Sequence, residues 1–316
     1  MLDSPAMRLL VIFPGALGDL ICLGPALRAI ARRHHDATLE LMARPELARF
    51  AVGRMGIEAG HSIDRHEVSS LFRNDGGAEP RAHAFFGQFG RIYSFFASDD
   101  HNFRRSLGAA ACGEVSFHRF RPPGDGHLGR LYLDSIGACG EPLESHIELA
   151  RSDFDSAAEV LHRVGAAHGK FCLVFPGSGS MTKNWPLDRF LELAKHVSSI
   201  VKPLAILGPA ESAMEASFQE RQVAALKGLE LNVVAALAHH ARAFVGNDSG
   251  VSHLAAAAGA RGIVIFGPTD PIRWQPLGEV TVVRRKRLDA LAVSEVLQAL
   301  RALVACEANA GEPVLV

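Results

Sequence analysis

The sequence contains few cysteines, and their spacing is irregular. Five cysteines are scattered over 316 residues without a Cys-x-x-Cys pair, at Cys22, Cys112, Cys139, Cys172 and Cys306. A disulfide framework or a zinc module requires regularly spaced cysteines, so this pattern argues against both kinds of structure. We therefore expect a protein of the reducing cytoplasm.

Long apolar runs are also missing from the sequence. No stretch reaches the roughly 18 uninterrupted apolar residues that a membrane-spanning helix needs, so no transmembrane helix is expected. The apolar run Leu9–Phe13 is followed at once by a Pro-Gly pair and then by Asp19, which is unlike a signal peptide. Residues 1–6 have the composition of a loose tail, so Met7 is an alternative to Met1 as the natural start.

Neither half of the chain has an excess of basic residues. The net charge of the whole chain is -1. Residues 1–150 carry 16 basic and 18 acidic side chains, a net charge of -2, and residues 151–316 carry 17 and 16, a net charge of +1. A general nucleic-acid binder needs a basic face that neutralises phosphates. We therefore expect no nucleic acid among the partners of this protein.

Length and composition indicate a globular protein of two domains. Hydrophobic residues make up 48% and charged residues 21% of the sequence, which excludes a disordered or fibrous chain. Apolar runs typical of buried strands alternate with amphipathic helical segments in both halves, from Leu9–Phe13 and again from Phe171–Phe175. We predict an α/β protein with two Rossmann-like domains, residues 1–150 and 151–316, facing each other across a cleft.

Three segments are less regular. Residues Glu211–Leu226 are predicted as one helix of the second domain. Residues Asp289–Ala305 are predicted as the last helix, which is able to pack back on the first domain. The aromatic, glycine-rich residues 71–100 receive no assignment, and the role of the histidine-rich and aromatic region 71–130 stays open.

Loops that follow strands are the candidate sites, because open α/β sheets bind ligands beyond the carboxyl ends of their strands. Asp19 lies after the first strand, in the first helical turn, where the helix dipole stabilises a carboxylate by about 0.3–1 kcal/mol. From this loop alone, helix capping is the simpler interpretation of Asp19. The loop lacks the Gly-x-Gly-x-x-Gly fingerprint of dinucleotide-binding proteins, which disfavours a Rossmann dehydrogenase.

The second candidate loop, residues 176–186, reads Pro-Gly-Ser-Gly-Ser-Met-Thr-Lys-Asn-Trp-Pro. Its glycines, the hydroxyls of Ser178 and Ser180 and the ammonium of Lys183 are suited to binding phosphate. The loop does not follow the order of a P-loop, so nucleotide triphosphate hydrolysis is not implied. An ordinary polar loop before a helix explains the same residues equally well.

The third candidate loop contains Asp248, Ser249 and Gly250. Asp248 or Ser249 is able to cap the next helix, whose first free N–H groups are then available to a ligand. His253 lies one turn further along, and we favour a functional role for it because this helix follows a strand.

Two further acidic positions have a complete structural explanation. Thr269 or Asp270 is able to cap a short helix that begins at Pro271. Glu211 follows another strand with the same local pattern and the same explanation. Together, however, polar loops after several strands in both halves predict a shared binding cleft.

These motifs resemble glycosyltransferase family 9, the heptosyltransferase family of lipopolysaccharide assembly, which has the GT-B fold. The resemblance rests on the stretches Gly15-Ala16-Leu17-Gly18-Asp19 with Pro25-Ala26-Leu27, Pro176-Gly177-Ser178 with Lys183-Asn184-Trp185-Pro186, Gly246-Asn247-Asp248-Ser249-Gly250 with His253-Leu254-Ala255-Ala256, and Phe266-Gly267-Pro268-Thr269-Asp270-Pro271. Residues 55–150 match the family only in outline.

The resemblance implies an inverting transfer of heptose from ADP-heptose to a lipopolysaccharide-core or other cell-envelope glycan, without a metal or a cofactor. In such an enzyme Asp19 is the general base on the acceptor hydroxyl, and Lys183 neutralises the departing ADP phosphates. The acceptor is a core or lipid-linked glycan, and peripheral contact with the cytoplasmic face of the inner membrane is expected. The donor-binding residues implied are Gly18, Ser178, Ser180, Glu211, Asp248, Ser249, Gly250, His253, Thr269 and Asp270.

Within this implied site, Glu211 contacts the nucleoside, and the turn from Asp248 to Gly250 holds the pyrophosphate at a helix N-terminus. Five arginines of the first half are candidates for binding an anionic acceptor, although a solvated surface is the simpler interpretation because that half is net acidic. They are Arg104, Arg105, Arg119, Arg121 and Arg130. The alternatives are a non-catalytic nucleotide-sugar-binding protein on the same scaffold and a transferase that uses a different nucleotide sugar.

Overall fold

The computed structural model describes residues 6–73 and 79–308, and for residues 306–308 it describes the backbone alone. Met1, the segment 74–78 of the aromatic region and the side chain of Cys306 lie outside the described residues. The chain divides into two compact units, Met1–Glu144 and Ser145–Val316, called unit 1 and unit 2 below. Across the described ranges, no helix is both long and apolar enough to cross a membrane.

Unit 1 is built on a parallel sheet whose strand order is β3-β2-β1-β4-β5. Its strands are β1 Met7–Ile12, β2 Ala37–Ala43, β3 Ala59–Ser62, β4 Arg91–Ser94 and β5 Glu114–Phe117. The central strand is apolar on both faces, and Leu9 to Ile12 are fully buried, as expected for a parallel sheet covered by helices on both sides. The helices are α1 Leu17–Arg33, α2 Pro45–Ala51, α3 His66–Ser69, α4 Pro80–Phe86, α5 His101–Ala110 and α6 Leu128–Ser135.

Unit 2 has a second parallel sheet, with the strand order β11-β10-β9-β6-β7-β8. Its strands are β6 Phe171–Phe175, β7 Lys202–Leu207, β8 Ala224–Lys227, β9 Ala243–Asn247, β10 Gly262–Phe266 and β11 Val280–Arg284. Its helices are α7 Arg151–Arg163, α8 Leu187–Val197, α9 Glu215–Glu220, α10 Leu231–His240, α11 Gly250–Ala257, α12 Pro271–Trp274 and α13 Val293–Ala308. The two parallel sheets with interleaved helices confirm the predicted α/β class.

Two predicted helices of unit 2 are wrong in their extent. The segment Glu211–Leu226 is not one helix: a 3-10 turn at Pro209–Met214 leads into α9, and the last residues form the edge strand β8. Periodicity alone does not distinguish a strand from the end of a helix in an apolar run as short as Val223–Leu226. The last helix begins at Val293, after a separate 3-10 turn at Leu288–Ala290, and packs on α8 and on the sheet of unit 2.

A buried carboxylate joins three strands of unit 1. Glu40 on β2 is 4% exposed, and its oxygens accept hydrogen bonds from Arg8 Nε on β1 at 2.6 Å and His61 Nε2 on β3 at 2.6 Å. The guanidinium of Arg8 lies 4.8 Å from the ring centre of Phe89. Burial raises the pKa of Glu40, but the bonds from Arg8 and His61 outweigh burial, so the pKa lies below the usual value of glutamate.

Replacing this carboxylate is expected to weaken unit 1 in a pH-dependent way. Because the folded-state pKa of Glu40 is depressed, its stabilisation is present above the unfolded pKa and is lost as the pH falls through the folded pKa. The substitution Glu40→Gln should lower the free energy of unfolding by about 1–2 kcal/mol at pH 7, since Arg8 is partly exposed. Urea denaturation from pH 7 downwards should show the difference from wild type shrinking with acidification. A constant difference, or an equal loss in the exposed control Glu46→Gln, would contradict this expectation.

Candidate functional site

The strand order of unit 2 reverses between β6 and β9. From β6 the chain proceeds to β7 and β8 on one side, and it then returns to β9 on the other side of β6. At such a reversal the loops that follow the two neighbouring strands diverge and leave a crevice. Here these loops are the segment 176–186 after β6 and the turn 247–250 after β9. The reversal therefore brings together two of the loops selected from the sequence.

The ammonium of Lys183 and the carboxylate of Asp248 form the centre of this site. Lys183 Nζ donates to Asp248 Oδ2 at 2.9 Å, and Thr269 Oγ1, after β10, donates to the same oxygen at 2.6 Å. Asp248 is 4% exposed, whereas about a third of the Lys183 side chain remains accessible. The pair holds a cation in a fixed place, and an ammonium so held is able to donate further hydrogen bonds to an anionic ligand.

The hydroxyls of the lysine loop, residues 177–184, contact the loop itself. Ser178 Oγ lies 2.7 Å from the carbonyl of Ser180 and 2.6 Å from the side-chain Oδ1 of Asn184. Ser180 Oγ lies 2.9 Å from the hydroxyl of Thr182. The structure therefore places Ser178 and Ser180 near Lys183 in sequence, with hydroxyls that shape the loop.

Glu211 reaches the same strand ends from the 3-10 turn after β7. Its carboxylate lies against the backbone of Gly177 and Gly208: a Cβ at Gly177 would overlap the Glu211 carboxyl group, and a Cβ at Gly208 would lie 2.7 Å from Oε2. The two glycines thus leave the space that the carboxylate occupies. Glu211 was expected from the sequence as a donor-binding residue, but its contact with the lysine loop was not.

The remaining predicted donor residues lie at the ends of β9 and β10. Ser249 precedes α11, and its Oγ lies 3.2 Å from Ser252 Oγ; Gly250 is the first residue of that helix. His253, one turn into the helix, is 3% exposed. Asp270 caps α12 by accepting from the Ile272 amide at 3.3 Å, which is the structural role that the sequence offered as its complete explanation.

Asn247, which was not among the site residues expected from the sequence, contacts the residues that flank the lysine loop on both sides. Its Oδ1 accepts from the backbone N–H of Trp185 at 3.0 Å, and its Nδ2 donates to the carbonyl of Pro176 at 2.8 Å. In the sequence, Asn247 belongs to the Gly246–Gly250 stretch that carries the resemblance, and it is a polar residue at the end of an apolar strand, next to Asp248.

In unit 1, Asp19 lies in the first turn of α1, directly after β1. Its Oδ2 accepts from the Ala16 amide at 3.1 Å, so Asp19 caps the helix, and its Oδ1 lies 3.6 Å from the Arg121 guanidinium. Asp19 is 8% exposed. Gly15 is required for this close turn, because a Cβ there would lie 2.8 Å from Asp19 Cβ. Gly18 lies in the same helical turn.

The candidate acceptor arginines have separate surroundings. Arg104 and Arg105 line a cavity of about 420 Å³ with His101, Asp99 and Phe117. Arg104 stacks on the ring of Phe117, with 4.9 Å from Cζ to the ring centre. The three others have partners: Arg119 lies 3.9 Å from Asp99, Arg121 lies 3.6 Å from Asp19, and Arg130 donates to the carbonyls of Cys139 and Glu141.

Comparisons with known proteins bear on this geometry. The family model of glycosyltransferase family 9 (heptosyltransferase) matches residues 131–297. Curated protein sequences give no match. Among solved structures, a family 9 glycosyl transferase from Veillonella parvula DSM 2008 is 18% identical, with a TM-score of 0.77 over 96% of this chain and 99% of that one.

Two heptosyltransferases from E. coli have the same architecture. ADP-heptose lps heptosyltransferase II is 18% identical, with a TM-score of 0.75 over 96% of this chain and 100% of that one. Heptosyltransferase WaaC with ADP is 17% identical, with a TM-score of 0.69 over 94% and 100% of the two chains. At these identities the likeness concerns the fold, and it confirms the predicted GT-B architecture.

The pairing of Lys183 with Asp248 is expected to be measurable as an energetic coupling. Lys183→Met leaves a buried carboxylate without its cation and should lower the free energy of unfolding by about 1–3 kcal/mol, discounted for the exposure of Lys183. In the double variant with Asp248→Asn, the loss should be smaller than the sum of the single losses by at least about 0.5 kcal/mol. Urea denaturation measures all three variants, with the exposed Lys195→Met as control. Additive losses would show that the pair has no net coupling.

Proposed function

The chain belongs to glycosyltransferase family 9, the heptosyltransferases, and we propose that it transfers heptose from ADP-heptose to a cell-envelope glycan with inversion at the anomeric carbon. The observation that carries this proposal is the Lys183 ammonium, fixed by Asp248 at the strand reversal of unit 2. A nucleoside diphosphate leaving group requires a cation at such a place.

In the proposed reaction, an acceptor hydroxyl oxygen attacks the anomeric carbon of the heptose. The bond from that carbon to the phosphate oxygen breaks, and ADP departs with the electron pair. Asp19 takes the proton of the attacking hydroxyl, and Lys183 stabilises the negative charge that develops on the ADP phosphates. In this proposal the Ala16 amide holds Oδ2 of Asp19, and Oδ1, which lies 3.6 Å from the Arg121 guanidinium, is the oxygen that takes the proton.

The proposed donor site extends from the lysine loop to the ends of β7, β9 and β10. The first amides of α11, from Gly250 onwards, favour the pyrophosphate through their free N–H groups. In this proposal Glu211 accepts a hydrogen bond from a ribose hydroxyl, and Asp248, which accepts from Thr269, faces the sugar. ADP-heptose is the proposed donor because one structural relative is an ADP-heptose heptosyltransferase and another is described with ADP.

The proposed acceptor is an anionic lipopolysaccharide-core or related glycan, bound by unit 1. The cavity lined by Arg104 and Arg105 lies beside the loop that follows β4. Strand β4 pairs with β1, the strand that precedes Asp19, at the point where the strand order of unit 1 reverses. Peripheral contact with the inner membrane is part of this proposal, because such acceptors are lipid-linked.

The decisive experiment measures transfer by the purified full chain and by Asp19→Asn. Asparagine retains an oxygen that accepts from the Ala16 amide, so the helix cap should persist while the general base is lost. We expect the turnover number with ADP-heptose and a lipopolysaccharide-core acceptor to fall by about 10²–10⁴-fold, with unchanged affinity for ADP-heptose. Asp153→Asn is the matched control, since Asp153 caps α7 through the Ala150 amide in the same way.

The same samples separate the alternatives. Thermal-shift measurements with ADP, UDP, GDP and ADP-heptose identify the donor, because a ligand at 100 times its dissociation constant adds about 2.7 kcal/mol of stability. Stabilisation by UDP or GDP alone would assign a different nucleotide sugar. Binding of ADP-heptose without transfer by either protein would favour the non-catalytic alternative, and wild-type turnover in Asp19→Asn would remove Asp19 as the base.

The contact between Gly177 and Glu211 provides a second test of the donor site. Gly177→Ala should push the flexible Glu211 side chain away from the nucleoside and weaken ADP binding by about 1 kcal/mol, the scale of one hydrogen bond. In a Glu211→Ala background, Gly177→Ala should have little further effect, because the displaced carboxylate is already absent. Isothermal titration with ADP measures the cycle. Gly179→Ala is the control, since a Cβ there meets nothing within 4 Å; equal effects of Gly177→Ala in both backgrounds would contradict the role of Glu211.

A further inference from the structure

The side-chain amide of Asn247 bridges the two ends of the lysine loop. Asn247 is the last residue of β9 and is fully buried. Its oxygen accepts from the Trp185 N–H at 3.0 Å, and its nitrogen donates to the Pro176 carbonyl at 2.8 Å. Pro176 and Trp185 directly precede and follow residues 177–184, which carry Lys183. One planar amide therefore sets the distance between the ends of the loop.

Both bridged backbone groups depend on this amide. Pro176 is buried and Trp185 is 1% exposed, so their carbonyl and N–H require partners within the protein. Asparagine supplies a donor and an acceptor from one rigid group, whereas aspartate supplies two acceptors and alanine neither. The bridge thus requires this side chain.

The rest of the lysine loop has little packing that would keep it in place. Met181, at its tip, is 90% exposed, and none of the residues of the 3-10 turn Met181–Lys183 is buried. By contrast, the Trp185 ring beyond the loop is anchored, since its Nε1 donates to the Leu291 carbonyl at 3.1 Å. Segments with few buried contacts open locally at low cost. The position of Lys183 therefore depends on the hydrogen bonds within the loop, on the polar attachments at its ends and on its own bond to Asp248.

We propose that Asn247 is a positioning residue for Lys183: it keeps the lysine loop closed so that the ammonium lies where the departing diphosphate needs it. Asn247 and Asp248 are consecutive, and together they contact Lys183 within the loop and its two flanking residues, Pro176 and Trp185. The end of β9 thereby carries both the residue that bridges the ends of the loop, Asn247, and the counter-ion of Lys183, Asp248. The inference rests on the proposed role of Lys183 in stabilising the leaving group.

The closure of the loop is testable without any donor, because the chain has six lysines and none precedes Lys170. An endoproteinase specific for lysine reports the opening of the loop as cleavage after Lys183. Asn247→Asp keeps an acceptor for the Trp185 amide, but it replaces the donor to the Pro176 carbonyl with a second carboxylate oxygen, which repels that carbonyl. We expect cleavage after Lys183 to become about tenfold faster, the effect of losing one hydrogen bond or slightly more. Cleavage after Lys195 and Lys227 should stay unchanged.

Two further variants distinguish loss of the Asn247 bridge from general destabilisation of the protein. Asn247→Ala, which removes the bridge without adding a charge, should accelerate the same cleavage, so the test remains informative if Asn247→Asp folds poorly. Val245→Ala removes buried volume from the same strand and is the matched control for general destabilisation. Lowering the pH should partly restore slow cleavage in Asn247→Asp alone, because a protonated carboxyl group is able to donate to the Pro176 carbonyl.

Measurements of turnover test whether the Asn247 bridge affects the proposed transfer reaction. Asn247→Asp should lower kcat by about tenfold with a smaller change in the donor KM, as expected for loss of transition-state stabilisation. In a Lys183→Ala background the same substitution should have almost no further effect on kcat, because the group that it positions is gone. A general structural defect would reduce kcat in both backgrounds.

The outcomes separate this inference from the proposed function. Unchanged cleavage after Lys183, or equal acceleration after every lysine and in Val245→Ala, would overturn the positioning role. An undiminished effect on kcat in the Lys183→Ala background would also overturn it. Selective cleavage after Lys183 in the Asn247 variants, combined with no sugar transfer by wild type, would support the bridging role of Asn247 and reject the proposed reaction instead.

Discussion

The arrangement of unit 2 depends on the position of β6 between β9 and β7 in a parallel sheet. Because all strands of a parallel sheet end at the same edge, this order places the loop after β6 beside the turn after β9. It also makes the chain leave the two strands in opposite directions, which opens room for a ligand. Lys183 and Asp248 are 65 residues apart in the chain, so it is this strand order that brings the polar side chains of the two loops together.

The buried polar groups at this edge form one connected set. Asp248 is almost completely buried, and its charge is balanced by Lys183 and hydrogen-bonded by Thr269, as a buried carboxylate must be. Asn247 satisfies two buried backbone groups of the neighbouring loop. A cation that is held in place before a ligand arrives loses little free energy to reorganisation when charge develops beside it. In the proposed reaction, the same contacts that satisfy buried groups would therefore also prepare the site for the phosphate leaving group.

Unit 1 uses its own strand reversal, between β1 and β4, in a related way. Asp19 follows β1 and performs two tasks with two oxygens: Oδ2 caps α1, and Oδ1 points toward Arg121. A structural and a chemical interpretation of this residue are thus compatible. The cap itself fixes the carboxylate, so a general base at this place gains its orientation from the helix that it begins.

The sequence by itself determined the α/β class, the buried strands, and the loops that carry Asp19, Lys183, Asp248 and Thr269. It could do so because apolar periodicity and the residues after each strand are local properties. Only the tertiary structure decided that Asp270 is a helix cap, that β8 is a strand, and that Glu211 lies against Gly177. The bridge made by Asn247 and the carboxylate network of Glu40 also appear only there. The Asp270 cap is a local contact, and the structure only decided between the two caps that the sequence offered. The other features join residues that are distant in the chain, and the strand order that brings them together follows from the packing of whole elements, which no local pattern records.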